Sequence, residues 1–248
     1  MTEYRKHLRK LPDRLALLLL AGGLAILALL WWSSVRGAPQ RLAALAAPLM
    51  IWLAMLWFAR RRRVLRWVVA LLPLVFAAPF LLPGREIPAD KVLDRYQERI
   101  VRLEGTEYVW GGECGNGIDC SGLPRKALRE SLFLEGLGSF NGNATRAALR
   151  HWWFDASAHA LMNGYRGYAK PLGITGTVRT IDYSKLLPGD FVITRDGRHV
   201  MCYLDGNRWI QADPGPGRVI TLDGRGADNS WFDAPVAAFR WTVLDRAE

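Results

Sequence analysis

Trp110–Leu123 reads WGGECGNGIDCSGL, five glycines and two of the chain's three cysteines in fourteen positions. The residues that follow, SGLPRKALRESLFLEG, read as a helix whose N-terminus lies near Cys120. Pro124 fits such a helix only within roughly its first turn, where the missing N–H leaves no helical bond unmade. Cys120 is thereby placed at the helix start, facing free backbone N–H groups and the positive end of the dipole, both of which favour thiolate over thiol. The glycines let backbone and substrate approach closely, and the same N–H groups can hold a developing oxyanion. Against this stands the ordinary role of a lone cysteine, a small buried hydrophobe.

Upstream, ADKVLDRYQERIVRLEG repeats Val92, Leu93, Tyr96, Ile100 and Leu103 at helical spacing. Downstream, Asn143 is expected to cap an amphipathic helix running through Trp152 and Trp153 to about Leu161, inside a segment, 139–180, of otherwise open form. Beyond it the period becomes two. LLPGD is a turn, FVIT a strand, RDGR a turn, HVMCYL a strand, DGN a tight turn, WIQA a strand, PGPG a turn, and RVITL and VAAFRWTV two more strands. Helices followed by an antiparallel sheet predict an α+β fold.

A nucleophilic thiol needs a base. Of the four histidines, His7 falls in a segment expected to be cytoplasmic, His151 and His159 fall in 139–180, and His199 opens a sheet strand. His199, Met201 and Tyr203 share one strand face, as do Trp209 and Gln211 on the next. A tight hairpin brings Gln211 alongside His199, where its amide oxygen orients the imidazole as Asn does in Cys-His-Asn peptidases. Taken singly, His199 is more often a satisfied sheet histidine and Gln211 an ordinary strand residue; together with Cys120 they form a complete acyl-transfer set.

At this point YVWGG, DCSGL, LLPGDFV, HVMCYL and WIQA, in that order, resemble the NlpC-like cell-wall cysteine peptidases, compact papain-like enzymes of bacteria. The resemblance spans roughly 90–243. It implies Cys120 as nucleophile, His199 as base and Gln211 as third residue, with the Cys helix packed on the sheet that bears the other two. It also implies that Tyr108, Asp119 and Ser121 line the cleft and position a peptidoglycan stem peptide, whose amine Asp119 binds; the competing role for Asp119 is N-cap of its helix, and for Tyr108 it is packing. The sequence departs from the family pattern at Gln211, more often His, at Pro124, and in extra residues around 143–180. It contains no segment that reads as a wall-binding module.

The first 84 residues carry a different signal. Three apolar runs, 15–35, 42–59 and 64–82, are each long enough at about 1.5 Å per residue to approach or exceed a hydrocarbon core of roughly 30 Å. The third contains one charge, Arg66, which snorkels. A cleaved signal peptide and buried soluble helices are the alternatives, and the immediate succession of three runs disfavours both. Arg5, Lys6, Arg9, Lys10 and Arg14 precede the first run and Arg60–Arg63 and Arg66 lie between the second and third, whereas only Arg36 and Arg41 lie between the first and second. The positive-inside rule then places the N-terminus in the cytoplasm and everything after Leu82 on the extracytoplasmic face of a bacterial inner membrane. Up to Arg66 there are 12 basic and two acidic residues, leaving 21 of each sign in the remainder. The basic balance therefore reports topology and gives no support to nucleic-acid binding.

The expected organisation is a membrane region, 1–84, followed by an exported cysteine hydrolase domain, 85–248, joined by a linker of some eight residues reaching at most about 25–30 Å. Its expected partners are the bilayer and a stem peptide or murein precursor, with no cofactor and no metal. A zinc site at Cys114 and Cys120 matches none of the usual ligand spacings. Cys114 and Cys202 are structural, and in an oxidising compartment a disulfide between them would leave Cys120 free. His151, Trp152, Trp153 and His159 form a cleft wall, a membrane-contacting face or the core of an inserted helix. Besides a stem-peptide hydrolase, the residues admit a thiol acyltransferase acting on a lipid or secreted peptide, and a non-catalytic scaffold that uses the cleft for binding.

Overall fold

The structure, a computed structural model, describes the backbone of residues 2–245 and side chains from Pro12 onward. His7 and the basic side chains at 5, 6, 9 and 10, on which part of the orientation argument rests, lie outside the described residues. The chain divides into two compact units, Met1–Ala78 and Pro79–Glu248.

The first unit consists of α1 (Thr2–Trp32), α2 (Ala38–Ala59) and most of α3 (Arg63–Leu81). All three are long and apolar enough to cross a membrane. Small residues let α1 and α2 meet closely: Ala16, Ala47 and Ala54 are buried, and a Cβ on Gly23 would come within 2.9 Å of the Ala47 carbonyl. Pro73 has no N–H, so the Val69 carbonyl one turn earlier loses its helical donor. Trp52 Nε1 of α2 donates to that oxygen at 2.8 Å, which supplies the satisfaction a lipid environment demands. Near the other end, Asp13 accepts from Trp57 Nε1 at 2.8 Å and from Arg60 Nη2 at 2.7 Å.

The second unit is α+β. After α4 (Ala89–Val101) come a short hairpin, β1 (Glu113–Cys114) and β2 (Gly117–Ile118), then α5 (Gly122–Gly138), α6 (Gly142–Trp153) and α7 (Ala158–Met162). A six-stranded antiparallel sheet follows: β3 (Ala169–Gly176), β4 (Phe191–Thr194), β5 (Val200–Asp205), β6 (Arg208–Asp213), β7 (Arg218–Asp223) and β8 (Val236–Trp241), in the order β3-β8-β4-β5-β6-β7. Alternation along the strands sorts the core into two layers. Phe191, Val200, Cys202, Ile210 and Trp241 face Tyr96, Ile100, Leu123, Leu128 and Leu132 of the helices, while Val192, Met201, Tyr203 and Trp209 face Val178, Ile181 and Phe232 of the connecting segments.

Several details depart from expectation. The residue that caps α6 is Asn141, whose Oδ1 accepts from the Asn143 N–H at 3.0 Å; the helix ends at Trp153, and Ser157 caps the separate α7. An Asx side chain satisfies the N–H two residues on, which Asn143 itself does not do. β3 escapes sequence reading because AKPLGITG carries proline and glycine, tolerated here because it is an edge strand with a bulge between Pro171 and Thr175. All three cysteines are free thiols, and Cys202 lies in the core, accepting from the Tyr96 hydroxyl at 3.9 Å. No Cys114–Cys202 disulfide forms.

The short linker is not an extended tether. Residues 79–86 lie against the start of α6, where Thr145 Oγ1 donates to Pro79 O at 2.7 Å, Arg146 Nη1 to Phe80 O and Leu82 O at 2.9 and 3.0 Å, and the Gly142 N–H to Pro83 O at 2.9 Å. The carbonyls that the end of α3 leaves without helical partners are thus satisfied by α6. Position 142 must be glycine, because any Cβ there would collide with the Leu82 carbonyl.

The PGD turn has a structural role. Asp190 is buried, accepts both Arg240 Nε and Nη2 at 2.7 and 2.8 Å, and takes the Leu187 N–H at 2.7 Å. This bidentate pair ties the start of β4 to β8.

Candidate active site

Cys120 sits two residues before α5, 8 % exposed, on the wall of a cleft of about 550 Å³. The glycine after Ser121 allows the approach: a Cβ on Gly122 would strike the Gly112 carbonyl, so the WGG and CSG segments pack backbone to backbone. Asp119 accepts from the Gly122 N–H at 2.6 Å, the Ser121 hydroxyl at 3.0 Å and the Gly111 N–H at 3.0 Å. It binds the first N–H of α5 and pins the glycine loop in one stroke, although the N-cap position itself is held by Ser121. Its Oδ2 takes only the Gly111 bond among these, and the residue lines the same cleft.

The surroundings of Cys120 oppose the thiolate that its place before α5 favours. Burial, reinforced by the Asp119 charge, pushes the Cys120 thiol up to about 12, despite backbone N–H groups of Val200, Ser121 and Cys120 that favour the anion. Desolvation of a buried charge outweighs the helix-terminal field. The thiol donates to the Arg198 carbonyl at 3.6 Å.

His199, 2 % exposed, is the next residue along. The turn that presents both groups is organised by Thr194: its Oγ1 accepts from the His199 and Arg198 N–H groups at 3.0 and 3.2 Å and donates to Asp196 Oδ1 at 2.6 Å. His199 Nε2 meets Gln211 Oε1 at 2.6 Å. Sheet register makes this a diagonal neighbour, since β5 and β6 pair Cys202 with Ile210.

The direction of that bond is fixed from the far side. Gln211 Nε2 donates to Asp213 Oδ2 at 3.3 Å, so its amide oxygen must face the histidine. An amide oxygen accepts only, which puts the imidazole proton on Nε2 and leaves Nδ1 as the acceptor nitrogen. Asp213, itself buried, also accepts from Asn229 Nδ2 at 2.7 Å, Trp231 Nε1 at 3.3 Å and the Gly215 N–H at 2.8 Å. The Trp231 ring stacks on His199, centroids 4.1 Å apart and 17° from parallel. Burial holds the His199 pKa below its ordinary value, partly offset by the Gln211 hydrogen bond and the Asp213 charge. Burial thus opposes charge on both the Cys120 thiol and the oriented His199 imidazole.

Of the expected site residues, Tyr108, Asp119, Cys120 and Ser121 line one cleft, and His199 and Gln211 are bonded to each other behind it. Burial, with the Cys120 and Asp119 charges, raises the Tyr108 phenol to about 12. Sequence reading missed Asp213, although the period-two rule puts it on the face of Trp209 and Gln211. It also missed Trp231 and Asn229, which no local pattern connects to the site. The segment 139–180 supplies the opposite wall through Asp155, Ser157 and His159. Asp155 pairs with Arg125 of α5, which lies 3.5 Å from Glu113. His151 is not in the wall; it stacks on Tyr168 at 4.1 Å within the domain.

The NlpC/P60 family model matches residues 105–232, just over half of the chain, and the chain belongs to that family. Members of this family are cysteine peptidases and amidases that act on peptidoglycan. The solved structures it is similar to include NlpC1 from Trichomonas vaginalis (18% identity, TM-score 0.41, 65% of this chain and 48% of that one). They also include the peptidoglycan hydrolase RipB from Mycobacterium tuberculosis (18%, 0.39, 63% and 72%), and the P60 domain of an antigen from M. avium subspecies paratuberculosis (16%, 0.38, 64% and 100%). The chain spans about half the length of the two Trichomonas proteins it matches. Comparison with curated proteins finds no match.

Proposed function

We propose that the chain is a membrane-anchored cysteine peptidase that cleaves amide bonds in peptidoglycan stem peptides or their precursors on the extracytoplasmic face. The observation that carries this reading is the buried series His199, Gln211, Asp213 behind a cleft-lining Cys120. In the reaction, the Cys120 thiol leaves the Arg198 carbonyl and gives its proton to His199 Nδ1 as Sγ attacks the scissile carbonyl carbon. The oxyanion is held by backbone N–H groups at the start of α5, and the imidazolium protonates the departing amine. Water then attacks the thioester, transferring a proton to the same imidazole, and releases the acid and the thiol. Gln211 holds the tautomer throughout, and a substrate amine finds Asp119 Oδ2 and the Tyr108 phenol in the cleft.

A Cys120 thiol pushed up to about 12 suits proton transfer concerted with attack, because substrate binding displaces water before charge forms. The test is incubation of the full-length protein in detergent with purified muropeptides and with lipid-linked precursor, analysed by mass. The expected result is a new amine and acid pair in wild type, lost on Cys120→Ala by at least ~10³-fold. No cleavage of either substrate by folded protein would overturn the reading, and a mass gain on an added amine or alcohol instead of water would replace it with acyl transfer.

A further inference from the structure

The elbow between α5 and α6 exposes apolar side chains that the core does not use. Phe140 is 67 % exposed and has φ of 52°, a left-handed conformation that disfavours an aromatic residue. Leu137 at the end of α5, and Leu149 and Trp153 on α6, are exposed as well. The helix itself, GNATRAALRHWW, buries Ala144, Thr145, Ala147, Ala148 and His151 and turns Leu149, Arg150 and Trp153 outward, with Arg146 half-buried beside them. It has two arginines and no acidic residue. Apolar, aromatic and cationic side chains sharing one face are what a helix lying in a lipid headgroup layer presents.

The hydrogen bonds at the start of α6 say where this face begins. Thr145, Arg146 and Gly142 bind the carbonyls of Pro79, Phe80, Leu82 and Pro83, the last turn and exit of the third apolar helix. We propose that the α5–α6 elbow and the outward face of α6 rest in the phospholipid headgroup layer, with Phe140 and Leu149 at the acyl boundary and Arg150 toward phosphate, Arg146 being engaged by the Phe80 and Leu82 carbonyls and Asn143. This inference rests on the reading of 64–82 as a membrane span. α6 runs through Phe154 into Asp155, Ser157 and His159 of the cleft wall, so the surface that touches lipid and the wall that touches substrate are one continuous segment. A cleft supported in this way favours substrates presented at the membrane surface.

The test uses the full chain in phospholipid vesicles containing anionic lipid, with photoreactive p-benzoylphenylalanine placed singly at Phe140, Leu149, Phe76 or Asn207. Phe76 lies within the third span, and Asn207 lies in the exposed β5–β6 turn between Asp205 and Arg208. After irradiation, lipid adducts identified by mass are expected at 76, 140 and 149, with yields at 140 and 149 at least fivefold above that at 207. Adducts at 76 with none above the 207 background at 140 and 149 would overturn the proposal while leaving the span intact. Absence of lipid adducts at 76 as well would remove the span reading and this proposal together. Thermal unfolding of each labelled protein, compared with wild type, checks its fold independently.

Discussion

Cys120 shows how two local effects compete and which one wins. A helix N-terminus lowers a thiol pKa, but the same side chain is covered by the Arg198 turn and neighbours Asp119, and burial dominates. Alkylation of the free enzyme by iodoacetamide, measured on Cys114→Ser protein, is expected to rise about tenfold per pH unit from pH 7 to 10, since only the thiolate reacts. A plateau near neutrality would show a preformed ion pair. Asp213 is the second point at this scale. Its carboxylate sets which end of the Gln211 amide faces His199, so Asp213→Asn allows the amide to turn and the imidazole to lose its fixed tautomer. The expected effect is a fall in kcat of about tenfold, worth ~1.4 kcal/mol, with KM within twofold of wild type. Equal loss in Tm and activity would assign Asp213 to folding alone.

The elements position these groups through caps and edge contacts more than through propensity. α5 begins where Asp119 can satisfy its first N–H, and α6 begins where Asn141 and the residues after α3 can satisfy one another. His151 on α6 is held neutral: burial first, then Arg129, Arg125 and Arg150, lower its pKa to about 4. The sign of the linkage follows. An unfolded chain takes up this proton near pH 6.5 and the folded one only near 4, so the stability contributed by the neutral ring is complete above 6.5 and is lost as pH falls toward 4. A shift of that size is worth on the order of 3 kcal/mol. His151→Phe keeps the stack on Tyr168 and is expected to flatten the fall in stability between pH 6.5 and 4, as read by urea midpoints. An unchanged pH slope would place the acid sensitivity elsewhere.

At the scale of the whole molecule, three apolar helices precede an NlpC/P60 domain. Charge asymmetry around them predicts that the C-terminal domain faces away from the cytoplasm. Alkaline phosphatase fused after Glu248 is expected to be active and a fluorescent protein that matures only in the cytosol dark. The reverse pattern would invert the topology and remove peptidoglycan from reach. Within the span region, Trp52→Phe is expected to destabilise the helices by about 1–2 kcal/mol, because the Val69 carbonyl then has no donor in lipid; a coupled Pro73→Ala change restores that donor and most of the loss.

The sequence alone determined the three apolar helices, the helix behind Cys120, five of the six sheet strands and the pairing of His199 with Gln211. Each of these depends on period, composition or a hairpin short enough that local rules set the geometry. Only the tertiary structure decided how deeply Cys120 is buried, because desolvation depends on what the rest of the chain stacks over the sulfur. It likewise decided that Asp213, Trp231 and Asn229 stand behind the histidine and that residues 79–86 bind α6 instead of swinging free. Those contacts join segments with no repeating spacing between them, so they become legible once the chain has folded.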